Sequence, residues 1–535
     1  MGKLSIGLDF GTLSVRALVV DCVSGEEVAE ATYAYPHKVI TDNLPVGFAL
    51  QHPDDYLMGA KHVLIEATNN VVKSDIIGIG IDFTACTMLP VDEMGLPLMK
   101  RPEFEGNPHA MVKLWKHHGA HFEAQEITRI AREDKEDFLT YYGGTISSEW
   151  MLPKIWETLR QAPAIYHDAH KFMDAGDWLV HNLTGQWTRS ACFAGYKGLW
   201  NKESGLPSKN FLRKLDPKLE NANEKVIEKI MAPGELAGQL NIDWALETGI
   251  PVGTAVSVAT IDAHSGVPGM GVYQDGSACM IMGTSTCHMF LSKELKKFEG
   301  AAGVAWNGIV EGLYGYESGQ AAVGDLFAYQ ASFSKDTLDE LTQAAAKLLP
   351  GQSGLIALDW HNGSRSPIMD TRLSSVIVGQ TLETKPYEVY RAMVEATAFG
   401  TRSIFETYED NGIAVREVYA CGGLTRLPFI MQIYADILGV PVHVAESGQA
   451  VALGAAIFGA LAAGKFVTLE EAVNCMTKKC QMTYLPEVAN REVYKDLYGQ
   501  YKQLQNYFGR SNKQFMHDLK QIQNKQLHIA GEKHE

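Results

Sequence analysis

LSIGLDFGTLSVRALVVD, residues 4–21, decides how this chain is read. Two apolar, β-branched runs flank DFGTLS, so the stretch reads as strand, turn and strand. The first strand ends on a carboxylate, Asp9, followed at once by Phe10, Gly11 and Thr12. Glycine permits a backbone approach that a side chain would block. The hydroxyls of Thr12 and Ser14 and the neighbouring amide N–H groups suit a concave anion site. An Asp at its rim repels a bare phosphate and suits one carrying Mg²⁺. The turn reads either as a docking point for a metal–nucleotide or as an ordinary hairpin with polar corner residues.

At 535 residues the chain exceeds one ordinary core, so two or more domains are expected. A formal net charge of -16 repels nucleic-acid phosphates and no long Lys/Arg block offsets it, so nucleic acid is not an expected partner. ATP is compatible with that charge, because local N–H groups and Mg²⁺ hold it. Eight cysteines are spread along the chain without a CxxC pair, the usage of reduced thiols in the cytoplasm. The first strand follows the N-terminus without a basic-then-apolar leader, and the apolar stretches are short or glycine-broken. Neither secretion nor a membrane span is expected.

Outward from the opening turn, IIGIGIDFTACTMLPVD at 76–92 repeats its pattern. Asp82-Phe83-Thr84 echoes Asp9-Phe10-Gly11, which reads as two strands of one sheet bringing polar ends to a shared edge. Residues from 52 carry helical periodicity. From about 107 to 250 the pattern is mainly helical, with Trp115, Trp150, Trp156 and Trp178 as packing anchors and 170–189 as a helix closed by Thr-Gly. The main boundary is placed near 255, within roughly ten residues either way. The second half restarts with SACMIMGTSTCHMFLSK at 277–293, again strand, turn and strand. A helix follows at 385–412, then strand, Gly422-Gly423 turn, helix and strand over 415–442. AVALGAAIFGALAAG at 450–464 has the composition of a helix packed very closely on its neighbours. The expectation is an α/β protein with domains 1–255 and 256–485 facing a cleft and a helical C-terminal extension, 486–535.

Three glycine turns follow apolar strands, and none is a Walker A motif. Together they suit two domains presenting opposing loops to one polyphosphate. The set resembles the FGGY carbohydrate kinases, within the superfamily of actin, hexokinase and the heat-shock ATPases, whose two ribonuclease H-like domains flank a central cleft. Asp9-Phe10-Gly11-Thr12 matches the first phosphate motif and Gly283-Thr284-Ser285 the second. Gly422-Gly423-Leu424-Thr425-Arg426, with Met431-Gln432 and Ala435-Asp436, matches the adenosine segment. GFALQHPDDY (47–56), RPEFEGNPHAMVKLWKHH (101–118), IDAHSG (261–266) and YGYESGQAAVGDLFAY (314–329) resemble the branch of that family that phosphorylates the ketopentose L-ribulose.

The resemblance implies ATP and Mg²⁺, transfer to the terminal 5-hydroxyl in L-arabinose catabolism, and a monomer or homodimer. It makes Asp262, which closes an apolar strand, the carboxylate that accepts the hydroxyl proton. It places Asp9 on the metal side, through a water. Asp82 orients substrate or water at the same edge. Ala85 or Cys86, with Lys197 and Glu317, match the positions around the ketose, Lys197 supplying donors and Glu317 acceptors. Gly11, Thr12, Gly283, Thr284, Ser285, Gly319, Gly422, Gly423 and Arg426 fall to the nucleotide. The family pattern has Asn where this chain has Thr425-Arg426, which leaves open the side chain against adenine. A xylulokinase- or glycerol kinase-type enzyme is the alternative. A heat-shock-type ATPase would need a peptide-binding β-domain that the sequence does not offer. His117 and His118 read as surface or cap residues on a helix, and no His/Cys/Asp set has zinc-site spacing.

Overall fold

The computed structural model describes residues 3–226, 228–478, 480 and 482–532. Leu4–Phe10 and Ser14–Asp21 form the antiparallel centre of a first sheet. Glu27–Ala34 extends it on one side. On the other, Ile76–Phe83 runs parallel to Leu4–Phe10, followed by Ala255–Ser257 and Leu236–Gln239. The register accounts for the echo seen in the sequence. Asp9 pairs with Asp82 and Phe10 with Phe83, whose rings stack with centroids 4.8 Å apart.

A second sheet repeats this order. Ser277–Met282 and Thr286–Ser292 pair antiparallel around the 283–285 turn, and Tyr314–Gln320 and Gly303–Trp306 extend one side. Glu417–Cys421 lies parallel to Ser277–Met282 on the other side, followed by Val442–Val444 and Met482–Tyr484. In each half an antiparallel meander abuts strands parallel to its first member. The two-domain α/β expectation therefore holds.

The chain leaves the first sheet within the roughly ten residues allowed around the expected boundary near 255. Ala255–Ser257 and Thr260–Ile261 both hydrogen-bond to Ile76–Phe83, so the chain leaves the first sheet only after 261. Helix Ala450–Ala462, in the second half by sequence, lies on the first sheet. Gly7 and Gly80 are cross-strand partners, and a Cβ at Gly7 would sit 1.8 Å from Ala452 O, one at Gly80 1.7 Å from Ala455 O. Only a glycine stripe lets a helix backbone approach a sheet this closely. The other face of the same helix meets helix Asp262–Gly269 just as tightly, Gly454 against Ser265 O.

Residues 170–189 divide into strand Lys171–Asp174 and helix Ala175–Thr184 where one helix was expected. The extension from 486 is not peripheral. Helix Val488–Asn506 buries Tyr494, Tyr498 and Tyr501, with Phe399 of helix Pro386–Asp410 in ring contact with all three. All eight cysteines are free thiols. Among the described residues no helix is long and apolar enough to cross a membrane.

Candidate active site

Three strand ends deliver three carboxylates to one edge. Asp9 and Asp82 lie opposite each other on parallel strands, Thr260 pairs with Asp82 on its other side, and Asp262 opens the next helix. The Asp262 carboxylate accepts the N–H of Ala263 at 2.7 Å, at a helix N-terminus that favours negative charge. Asp82 is fully buried, and among the described residues neither of its oxygens has a hydrogen-bond partner. Burial, then the charges of Asp9 and Asp262, push its pKa well above the carboxylate range. Burial raises Asp9 too, and its side-chain interaction with Asp82, then the charge of Arg16 3.8 Å away, offset only part of that. Asp262 is pushed up to about 7, chiefly by burial and further by Asp9 and Glu317. Like charges this close do not all ionise without a counter-cation. The oxygens of Asp9 and Asp82 are the hard donors that Mg²⁺ prefers, and two like charges facing each other on paired strands fit such an ion.

Of the residues expected around the ketose, helix Ala191–Lys197 carries Lys197 and strand Tyr314–Gln320 carries Glu317. The sequence sets them in opposite halves as separate hydroxyl partners. The structure joins them, with Lys197 Nζ 2.9 and 3.0 Å from the Glu317 oxygens. Burial opposes both charges, yet each holds the other ionised, Lys197 above and Glu317 below its ordinary pKa. The reason for the encounter is packing. Gly195 sits on Ala305, and Tyr196 lies among Gly303 and Gly315 of the second sheet and Gly308 of the loop between their strands. His264 Nε2 is 3.6 Å from Glu317, and burial drives this imidazole down to about 4, so it is neutral. Neither of its ring nitrogens has a hydrogen-bond partner among the described residues. Ala85 and Cys86, the two candidates beside the ketose, differ in exposure. Ala85 is half-buried, whereas Cys86 is buried in the core in a left-handed conformation, φ 56°.

The first turn is held from outside. Gly11 N–H donates to Ser14 O at 3.0 Å, Gln51 Nε2 to Thr12 O at 2.6 Å, and Trp115 Nε1 to Thr12 Oγ1 at 3.0 Å. Trp115 thus does more than pack, which its sequence surroundings gave no sign of. In the second turn Gly283 and Thr284 are exposed, and their carbonyls accept the N–H groups of Gly324 and Val323. Gly422 lies directly against this turn, since a Cβ on it would meet Met282 O at 2.4 Å, and its φ of 104° demands glycine. Gly423 borders open space and Arg426 is exposed. Gly11, Thr12, Gly283, Thr284, Ser285, Gly422 and Gly423 therefore stand at strand ends.

Gly319 does not join them. It is buried within its strand opposite Cys287, with its N–H 3.4 Å from Ser366 Oγ. Gln432 and Asp436 of the adenosine segment are also occupied. Gln432 bonds Asp436 and Leu485 O, and Asp436 accepts Glu487 N–H and Asn490 Nδ2, which anchors the C-terminal helix. His117 is a correction as well. It is buried outside any helix, 2.9 Å from Glu157, which also takes Lys113 Nζ at 2.6 Å. His37, His52 and Asp55 lie close enough to share an ion, though the sequence spacing did not suggest it, and His37 Nδ1 already meets Asp55 at 2.6 Å.

Sequence models of the FGGY family of carbohydrate kinases match the chain twice, the N-terminal domain over residues 4–269 and the C-terminal domain over 278–463. A ribulokinase of Geobacillus thermodenitrificans (strain NG80-2) is 46% identical over 546 residues, covering 97% of each chain. A ribulokinase of Bacillus licheniformis is 46% identical over 544 residues, covering 96% of this chain and 98% of its own. Solved structures share the fold at lower identity. The ligand-bound xylulose kinase from Lactobacillus acidophilus gives a TM-score of 0.82 at 19% identity, over 96% of this chain and 100% of that one. Plasmodium falciparum glycerol kinase with ADP gives 0.79 at 16% identity, over 94% and 97%. Both halves of the sequence, their order and their fold agree, and the chain belongs to the FGGY family of carbohydrate kinases.

Proposed function

We propose that this sugar kinase transfers the γ-phosphoryl group of ATP to the 5-hydroxyl of L-ribulose, giving L-ribulose 5-phosphate and ADP, a step in L-arabinose catabolism in the cytoplasm. The observation that carries this reading is 46% identity to ribulokinases over 97% of the chain, in a molecule whose buried Lys197–Glu317 pair and neutral His264 adjoin Asp262.

Asp262 is the general base. As the bond from O5 to the γ-phosphorus forms and the bond from that phosphorus to the β–γ bridging oxygen breaks, the O5 proton passes to the Asp262 carboxylate and ADP leaves. A base whose pKa is about 7 is well matched to this at neutral pH. Lys197, Glu317 and His264 offer donors and acceptors to the sugar hydroxyls, with the backbone at Ala85 closing one side. The 11–12 and 283–285 turns receive the phosphates, and the Gly422-Gly423 turn receives the adenosine end. Asp9 and Asp82 would hold Mg²⁺, directly or through water, and the ion neutralises charge on the phosphates. Water is the competing acceptor, so closing the cleft over the sugar protects ATP from hydrolysis.

The reading is tested by coupled ADP detection with L-ribulose, D-xylulose and glycerol at equal concentrations. L-Ribulose is expected to give a kcat/KM at least about tenfold above the others, the discrimination typical of hydroxyl-reading sites. Faster turnover of D-xylulose or glycerol would assign the chain to that other kinase type.

A further inference from the structure

Lys154, on helix Met151–Gln161, is fully buried and lies outside the groups used for phosphoryl transfer. Its Nζ donates to the carbonyl oxygens of Cys86 at 2.7 Å and Leu114 at 2.8 Å. Glu157, one turn along the same helix, is committed to Lys113 and His117. Among the described residues Lys154 forms no ion pair of its own. Burial lowers its pKa to about 8.

An apolar residue of similar size usually fills such a position at less cost than a charge without a counter-ion. What the lysine provides instead is a pair of charge-assisted hydrogen bonds to two particular carbonyls. Both carbonyls border the site. Cys86 holds a left-handed φ of 56°, uncommon for a residue with a side chain, and directly follows Ala85 at the sugar edge. Leu114 directly precedes Trp115, whose Nε1 fixes Thr12 of the phosphate turn. One ammonium therefore ties the sugar turn to the segment that holds the phosphate turn.

We propose that Lys154 is a positioning residue, which sets the Ala85–Cys86 turn, and with it the ketopentose, at a fixed spacing from the phosphate turn. This rests on the ribulokinase reading above. In-line transfer needs that spacing, since a displacement of about 1 Å costs on the order of 100-fold in rate.

The test is the full-length Lys154→Met variant, which keeps the stem and removes the donors. Its KM for L-ribulose is expected to rise about tenfold and its kcat to fall about tenfold, as a loosened turn requires. Its sugar-free affinity for MgATP, by calorimetry, is expected to stay within about twofold. A role confined to stability would lower the melting temperature and the active fraction with KM for L-ribulose unchanged, and that result overturns the proposal. Should the Met variant not fold, Lys154→Arg keeps the charge but presents a wider head group. There KM for L-ribulose is expected to rise at least about threefold at unaltered MgATP affinity, and an unchanged KM overturns the proposal. A wild-type protein inactive on L-ribulose defeats the functional reading, whereas an active wild type with an unaltered variant defeats only the role of Lys154.

Discussion

Asp262 has a position and an environment that suit a base, and both are open to test. It leads a helix at the end of a short strand, beside two further carboxylates, and its pKa is raised from 3.8 to about 7. Below that pH it keeps its proton, so kcat/KM for the ketopentose is expected to fall about tenfold per unit as the pH drops under 7. The linkage runs the other way for stability. Between 3.8 and about 7 the folded chain holds a proton that the unfolded chain releases, so Asp262 erodes stability as the pH rises across that window. Asp262→Asn is expected to lower kcat by about 10² to 10⁴ while L-ribulose affinity stays within several-fold. A variant with more than half of wild-type kcat removes Asp262 from that role. At this scale the sequence is informative where a side chain ends a strand. Asp9, Asp82 and Asp262 are legible as carboxylates after apolar runs, because strand ends face loops and ligands. Trp115 on Thr12 and Lys154 on Cys86 are not, since those contacts join residues far apart in the chain and nothing local distinguishes them from core packing.

The elements follow local pattern closely, and their partners do not. Apolar runs on either side of 11–13 and 283–285 specify hairpins, and both form. The Ala/Gly composition of 450–464 signals close packing, but only the fold reveals that the glycines it meets are Gly7, Gly78 and Gly80 of the first sheet. The C-terminal segment reads as an appended helix, and its packing includes a polar contact with no local signature. Arg391 Nε donates to Glu395 Oε1 at 2.8 Å, and the Tyr494 hydroxyl donates to the same oxygen at 2.9 Å. Glu395→Ala leaves the buried Arg391 with no carboxylate. It is expected to destabilise the protein by roughly 3–5 kcal/mol, seen as a lower first thermal transition, with the kcat of the folded fraction intact. An unchanged transition would show that the Arg391–Glu395–Tyr494 contact adds little to the fold.

At the scale of the whole molecule, two sheets of one topology each end in a glycine–hydroxyl turn, and helices 262–269 and 450–462 lock together on the first sheet. The helix that begins with the candidate base is thereby fixed from both sides. The Lys197–Glu317 pair links a helix of the first half to a strand of the second. A candidate base and a buried polar pair drawn from both halves suit the transfer to a sugar hydroxyl proposed above. The most direct test is the product itself. The full chain is incubated with MgATP and L-ribulose labelled with ¹³C at carbon 5, and the mixture is followed by ³¹P and ¹³C NMR. The account predicts one ADP per sugar phosphate and phosphorus coupling at carbon 5. Phosphate at another carbon, or ATP hydrolysis without a sugar phosphate, would contradict it.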